Sequence, residues 1–423
     1  GKGKVIDYLA ENYDVIARCQ GGQNAGHTVY RDGKPIVLQI IPSGVFYEGK
    51  TEIIGNGAVV NLGLLCKEID NVRDMGGDLS GLYISDRAHT IPLYLIEKEK
   101  SRKSAKDTYT TFQGIGDAYA AKMNRIGIRF SDMNRAAEDL AKLVSKALEE
   151  LKIEGDALKI AEEQLRFYEY IQKNTGGVVQ TSYFLNRSID GGKSALIECA
   201  QGTLLDIDHG TYPFVTASNT IAAGAATGLG IAPHRITDVT GIMKAYITRV
   251  GNGPFPTELG TASELQKERE ENDAGERSLE PKDPESLELR ERVLRGNASP
   301  YEIGKCIRIF GREFGARTGR PRRTGWQYLV LNYYSTMVNG LDSVIVTKMD
   351  ILDGFPELRV GLSYRMDGQE VSNMPTDLRM LERCVPEYHT LPGWPKPTSE
   401  AKRFEDLLKE STSYMDFLEC FMK

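Results

Sequence analysis

The sequence predicts an α/β fold with a large, mostly parallel central sheet flanked by helices, and three observations carry that expectation. Short apolar runs at 14–19, 35–41 and 81–85 alternate with helical patterns in the first hundred residues, as βα units do. Leu140, Leu143, Val144, Ala147, Leu148 and Leu151 recur at three- and four-residue spacing, which marks 133–175 as a helical insertion. Strand patterns then return at 194–199, 239–250 and 341–347. Together these predict one large α/β domain over 1–423. A second insertion at 263–300, charged and nearly devoid of apolar residues in its first half, reads as solvated.

The composition narrows the classes of function. With 423 residues, 40% hydrophobic content, 26% charged content and a net charge of −6, the chain reads as an ordinary soluble protein. No apolar run approaches the roughly 18 residues of a membrane span, so no membrane partner is expected. The acidic balance argues against broad nucleic-acid binding, which depends on a surplus of lysine and arginine. Cys19, Cys66, Cys199, Cys306, Cys384 and Cys420 show neither a CxxC pair nor zinc spacing. Reduced thiols in a cytoplasmic protein are the expectation.

The opening GKGKVIDYLA places Gly1, Lys2, Gly3 and Lys4 directly before a helix whose apolar face is Val5, Ile6, Leu9 and Ala10. Unpaired N–H groups and the helix dipole make such a start hospitable to anions. A solvated arm is the plainer reading. The stretch QGGQNAGHTVY at 20–30 gathers glycines, amides and His27 into what reads as a functional loop.

Three later stretches are too rich in special residues to be mere core. They are AQGTLLDIDHGTYPFVTASN at 200–219, GARTGRPRRTGW at 315–326, and TKMD at 347–350 after an apolar strand. Arginines on a glycine-punctuated loop suit dianions and carboxylates. The strand-end Lys348-x-Asp350 is similar to the guanine reader of GTP-binding proteins. Each has a bland alternative: a satisfied loop histidine at His209, a basic surface patch, and a simple Lys348–Asp350 ion pair.

GKGK, QGGQNAGHT, AQGTLLDIDHGTYPFVT, GPFPTEL, TGRPRRTGW and TKMD, in this order, resemble the adenylosuccinate synthetase family. The likeness spans residues 1 to about 365 and touches LPGW at 391–394. It implies a P-loop-NTPase-like α/β enzyme and a GTP-dependent ligation of IMP and L-aspartate to adenylosuccinate. Mg²⁺ is the implied cofactor. The implied path runs through 6-phosphoryl-IMP, and the implied place is the first committed step of AMP synthesis. It also implies that a hydrophobic strand and a Trp-Gly-Asp-Glu segment, with the catalytic aspartate, precede Gly1.

On this sequence the resemblance implies His27 as the catalytic acid. It places Gly1, Lys2, Gly3, Lys4, Gly26, His27 and Thr28 at the GTP phosphates, with the Gly26 carbonyl on the metal. Arg322, Lys348, Met349 and Asp350 complete the GTP set. IMP falls to Gly1, Lys2, Asn24, Ala25, Gly26, His27, Thr111, Arg125, Gln201, Thr216 and Arg320. Aspartate falls to Ala316, Arg317, Thr318, Gly319, Arg320, Pro321 and Arg322. A homodimer is implied, with Arg125 reaching the neighbour's IMP.

Some positions depart from the family pattern. Phe112 and Gln113 replace a Gly-Arg pair, Asp117 and Pro321 replace a proline and an arginine, and a C-terminal loop over guanine is replaced by the run ending YMDFLECFMK. A related ligase acting on dGMP, a GTP-binding regulatory protein and a catalytically inactive homologue stay open as alternatives.

Overall fold

The computed structural model describes residues 2–24, 26–31, 33–102, 110–273, 279–315 and 321–422. The chain, read above as one domain, divides into two compact units, 1–237 and 238–423.

The first unit is built on five parallel strands. They are β1 (Val15–Arg18), β4 (Thr51–Ile54), β6 (Leu82–Ser85), β8 (Gly177–Val179) and β9 (Ala195–Glu198), in the order β8-β6-β4-β1-β9. The α/β expectation holds here. Parallel strands are joined by crossovers, which leave helices to cover the sheet. Those helices include α1 (Lys2–Ala10), α2 (Leu62–Asp74), α3 (Leu93–Ser101) and α4 (Ile115–Met123). Ile6 and Ala10 of α1 are buried, two of the four apolar positions read from the sequence.

The segment at 133–175 carries α5 (Ala137–Leu151) and α6 (Ala157–Asn174). Leu140, Val144, Ala147 and Leu148 of α5 and Ala161, Tyr168 and Ile171 of α6 belong to one core cluster. Fully burying a leucine or valine contributes about 1.5–3 kcal/mol. Two further helices, α7 (Thr181–Asp190) and α8 (Ala223–Leu229), complete this unit among the described residues.

Two expectations are corrected. The 20–30 stretch is not loop throughout: β2 (His27–Arg31) pairs antiparallel with β3 (Lys34–Leu38) as a separate two-stranded sheet. The 35–41 run therefore makes a hairpin and joins no parallel sheet. The alternation that buries Val29, Ile36 and Leu38 while exposing Tyr30 and Val37 fits one covered face. Gly33, at φ +74° in the connection, adopts a conformation that side chains resist.

In the second unit the 239–250 run splits into β10 (Thr240–Lys244) and β11 (Ile247–Arg249) around the buried Ala245 and Tyr246. Here β10 pairs in parallel with β14 (Ser343–Thr347), and β11 pairs antiparallel with β12 (Arg323–Gly325). A third sheet joins β13 (Gln327–Tyr328), β15 (Glu357–Met366), β16 (Gln369–Val371) and β17 (Val385–Pro392). The segment at 263–300 contributes α9 (Ala262–Asp273) and α10 (Pro284–Leu294). It is not wholly solvated, since Leu289 and Val293 of α10 enter the core beside Ile307, Trp326 and Trp394. Among the described residues no helix is long and apolar enough to cross a membrane.

Candidate active site

Parallel pairing of β1 with β9 sets Arg18 opposite Glu198 at the carboxyl ends of both strands, where open α/β sheets bind ligands. Arg18 Nη1 lies 3.4 Å from Glu198 Oε1 and 3.2 Å from His27 Nδ1. Glu198 Oε2 accepts the Ser43 N–H at 3.1 Å. His27 Nε2 lies 3.2 Å from the Ile41 carbonyl and 3.8 Å from Glu198 Oε1.

Burial pushes the His27 imidazole down to about 4, with Arg18 adding to the effect and Glu198 opposing it. His27 is therefore neutral near pH 7. Burial alone would raise Glu198, but the charge His27 takes up at low pH, Arg18 and the Ser43 hydrogen bond outweigh it and hold the carboxyl below its ordinary range. Gly3 packs close by: a Cβ there would stand 3.0 Å from His27 Cβ and push the ring aside.

Lys2, at the start of α1, donates from Nζ to the Gln201 carbonyl, and Gln201 Nε2 donates to Asn24 Oδ1 at 3.1 Å. Three expected site residues far apart in sequence are thus brought together. Burial lowers the Lys2 ammonium, and among the described residues Gln201 Oε1 is buried without a partner. The 200–219 stretch is folded around Asp206, which accepts the N–H groups of Asp208 at 2.9 Å and of His209 and Ile221 at 3.1 Å. Thr216 is held by its N–H to the Leu205 carbonyl at 2.8 Å.

Gly26 and Thr28 flank His27, Lys4 is exposed on α1, Thr111 precedes α4, and Arg125 is exposed just after α4. Arg125, Gln201 and Lys348 are three of the seven described non-glycine residues with positive φ, at 62°, 61° and 64°. Strained backbone of this kind gathers at functional positions.

In the second unit, Glu313 is the hub. It accepts from Lys244 Nζ at 2.7 Å, Arg322 Nη1 at 2.9 Å and the Tyr246 hydroxyl at 2.8 Å. Burial drives the Lys244 ammonium down to about 8, against the pull of Glu313. Arg322 Nε is buried without a partner among the described residues. Arg323 is committed elsewhere, with Nε 2.6 Å from Glu258 and Nη1 2.6 Å from the Gly253 carbonyl. Pro321 pairs with Phe314 in an isolated bridge.

Lys348 Nζ donates to the Gly311 carbonyl at 2.9 Å. Met349 and Asp350 open the short helical turn Met349–Leu352. Among the described residues no ion pair is found between Lys348 and the exposed Asp350. Gly1, Ala25, Ala316, Arg317, Thr318, Gly319 and Arg320 lie outside the described residues.

Sequence reading missed Arg18, Glu198, Lys244 and Glu313. Charged residues inside or beside apolar strand runs were the available signal, because a buried charge demands a partner.

Three comparisons place the chain among known proteins. The family model described as adenylosuccinate synthetase matches residues 1–423. The adenylosuccinate synthetase of Chlorobium chlorochromatii is 40% identical over 99% of this chain and 89% of its own length, and that of Streptococcus gordonii is 39% identical over 98% and 89%. The fully ligated adenylosuccinate synthetase of Plasmodium falciparum superimposes with a TM-score of 0.84 at 30% identity, covering 100% of this chain and 92% of that one. The succinoaminodeoxyadenylate synthetase of cyanophage S-2L, at 21% identity and a TM-score of 0.52 over 82% and 80% of the chains, shares the fold. The chain belongs to the adenylosuccinate synthetase family.

Proposed function

We propose that this ligase transfers the γ-phosphoryl group of GTP to O6 of IMP, and that the aspartate amine then displaces phosphate from C6. The products are adenylosuccinate, GDP and phosphate, and the proposed place is the first committed step of AMP synthesis in the cytoplasm. Family membership makes the chain a GTP-binding enzyme of purine biosynthesis. The observation that carries the finer reading is the convergence of Lys2, Asn24 and Gln201 beside the strand ends that hold His27.

In this reading Gly1 to Lys4, Gly26, His27 and Thr28 receive the GTP phosphates. Asn24, Ala25, Thr111, Gln201, Thr216 and Arg320 hold IMP, and a neighbouring copy supplies Arg125 in a homodimer. The 316–322 segment holds aspartate, while Lys348, Met349 and Asp350 read guanine. The His27 proton now directed at the Ile41 carbonyl would turn to a phosphoryl oxygen, where a fixed donor stabilises developing charge. Arg322, with its partnerless Nε, has a donor to offer a carboxylate or phosphate.

Among the described residues no group of three or more His, Cys, Asp or Glu could hold a metal ion. Mg²⁺ would rest on the Gly26 carbonyl and the substrate phosphates, a hard-oxygen set that suits it. When bound it would neutralise phosphate charge.

The test is the initial rate of product formation by the full-length protein with aspartate and either IMP or dGMP, each with GTP or ATP. IMP with GTP should give the highest kcat/KM. A higher value for dGMP would overturn the substrate assignment.

A further inference from the structure

We propose that Cys19 and Cys199 are an oxidisable dithiol, a modification site that closes to a disulfide when a peroxide reaches it. Cys19 and Cys199 directly follow the aligned pair Arg18 and Glu198, so they continue the parallel register of β1 and β9. Their Sγ atoms lie 3.5 Å apart and both thiols are free. Paired strands run about 4.8 Å apart, within the Cα separation that disulfides span. Both side chains lie on the face of the sheet that packs with Ala17, Ile197 and Leu229.

Access to the pair runs through Cys199, which is only partly buried; Cys19 is fully buried behind it, at the wall of a 480 Å³ cavity lined also by Gln20, Tyr119, Ser218 and Gly228. Packing at Cys19 is close, since a Cβ on Gly228 would stand 2.0 Å from its carbonyl oxygen. That fixes the backbone and leaves the sulfur to respond.

The two thiols are not equivalent. The contact between the two sulfurs lowers Cys199, the more exposed of the pair, to about 7, and nearby Lys2 and Arg18 favour its thiolate against burial. Cys19 is pushed well up by the same contact and by burial. Burial drives Cys66 and Cys306 up to about 11, which makes them poor competitors. A low-pKa thiol beside a resolving thiol is the arrangement that senses oxidants.

The chemistry balances. The Cys199 thiolate attacks one oxygen of hydrogen peroxide, breaks the O–O bond and releases hydroxide, leaving a sulfenic acid. The Cys19 sulfur then displaces the sulfenic oxygen, which leaves as water with the thiol proton. Two thiols and one peroxide give one disulfide and two waters. Closure would tie Gln20, whose Nε2 donates to the Ala200 carbonyl at 2.9 Å, still more closely to the 199–201 segment on which Lys2 rests.

The experiment treats the reduced, full-length protein with hydrogen peroxide. Thiols are counted in denaturant, and non-reduced tryptic peptides are mapped by mass spectrometry. Two of the six thiols of this chain should disappear and return with dithiothreitol, with peptide 19–31 joined to peptide 194–235. Cys19→Ser should leave Cys199 as a sulfenic acid trapped by dimedone, and Cys199→Ser should leave Cys19 reduced. Six surviving thiols in the wild-type protein, or a crosslink between other cysteines, would overturn the proposal. The wild-type measurement decides even if a variant folds poorly.

Discussion

Arg18 fixes the tautomer of His27. A guanidinium only donates, so the contact at 3.2 Å makes His27 Nδ1 an acceptor and places the ring proton on Nε2, facing the Ile41 carbonyl. The side chain proposed above to meet phosphate is thus held neutral, with its donor on Nε2.

That relationship has a titration signature. The His27 resonances of the unliganded protein should titrate near pH 4, well below the ordinary 6.5. Because the folded value is depressed, the stability gained from the neutral ring is complete above about pH 6.5 and is lost as pH falls toward 4. It amounts to at most about 3 kcal/mol. Arg18→Met removes a cation that lowers this value, so the NMR midpoint should rise. A midpoint that stays put would show that Arg18 does not face the ring in solution.

Glu313 anchors Arg322 and Lys244 from a buried position. Glu313→Gln keeps the shape and removes the charge that both cations face, so urea denaturation should show a loss of about 3 kcal/mol. KM for aspartate should rise with it, because Arg322, the proposed aspartate ligand, loses its support. Unchanged stability would mean that water already screens the cluster.

Asp350 is exposed and, among the described residues, makes no ion pair with Lys348, which leaves it available for the proposed contact with guanine. Asp350→Asn should cost about 2–4 kcal/mol of GTP binding, roughly 30- to 1000-fold in kcat/KM. Xanthosine triphosphate, with a carbonyl in place of the guanine amino group, should become the better donor for the mutant. Retention of the GTP preference would remove Asp350 from base reading.

Arg125 stands exposed in a left-handed conformation after α4, the posture of a side chain offered outward. If it serves a neighbouring copy, mixing inactive Arg125→Leu and inactive His27→Asn subunits should restore about a quarter of the sites, by random pairing. Mixed dimers without activity would place Arg125 in its own subunit's site.

The sequence by itself determined the α/β class, the strands at 14–19, 81–85 and 194–199, and the stretches that carry Lys2, Asn24, His27, Gln201 and Lys348. These are local properties. Apolar periodicity reports which face of an element is covered, and clustered glycines, amides and arginines report backbone that serves a ligand. Tertiary structure alone decided that β1 lies beside β9, which sets Arg18 against Glu198 across 180 residues and Cys19 against Cys199. It also made β2 and β3 a hairpin, drew Leu289 and Val293 of a charged stretch into a core, and set Glu313 between two cations. Strand pairing and buried charge compensation depend on partners far away in the chain, and a pattern of period two or 3.6 carries no record of which partner that is.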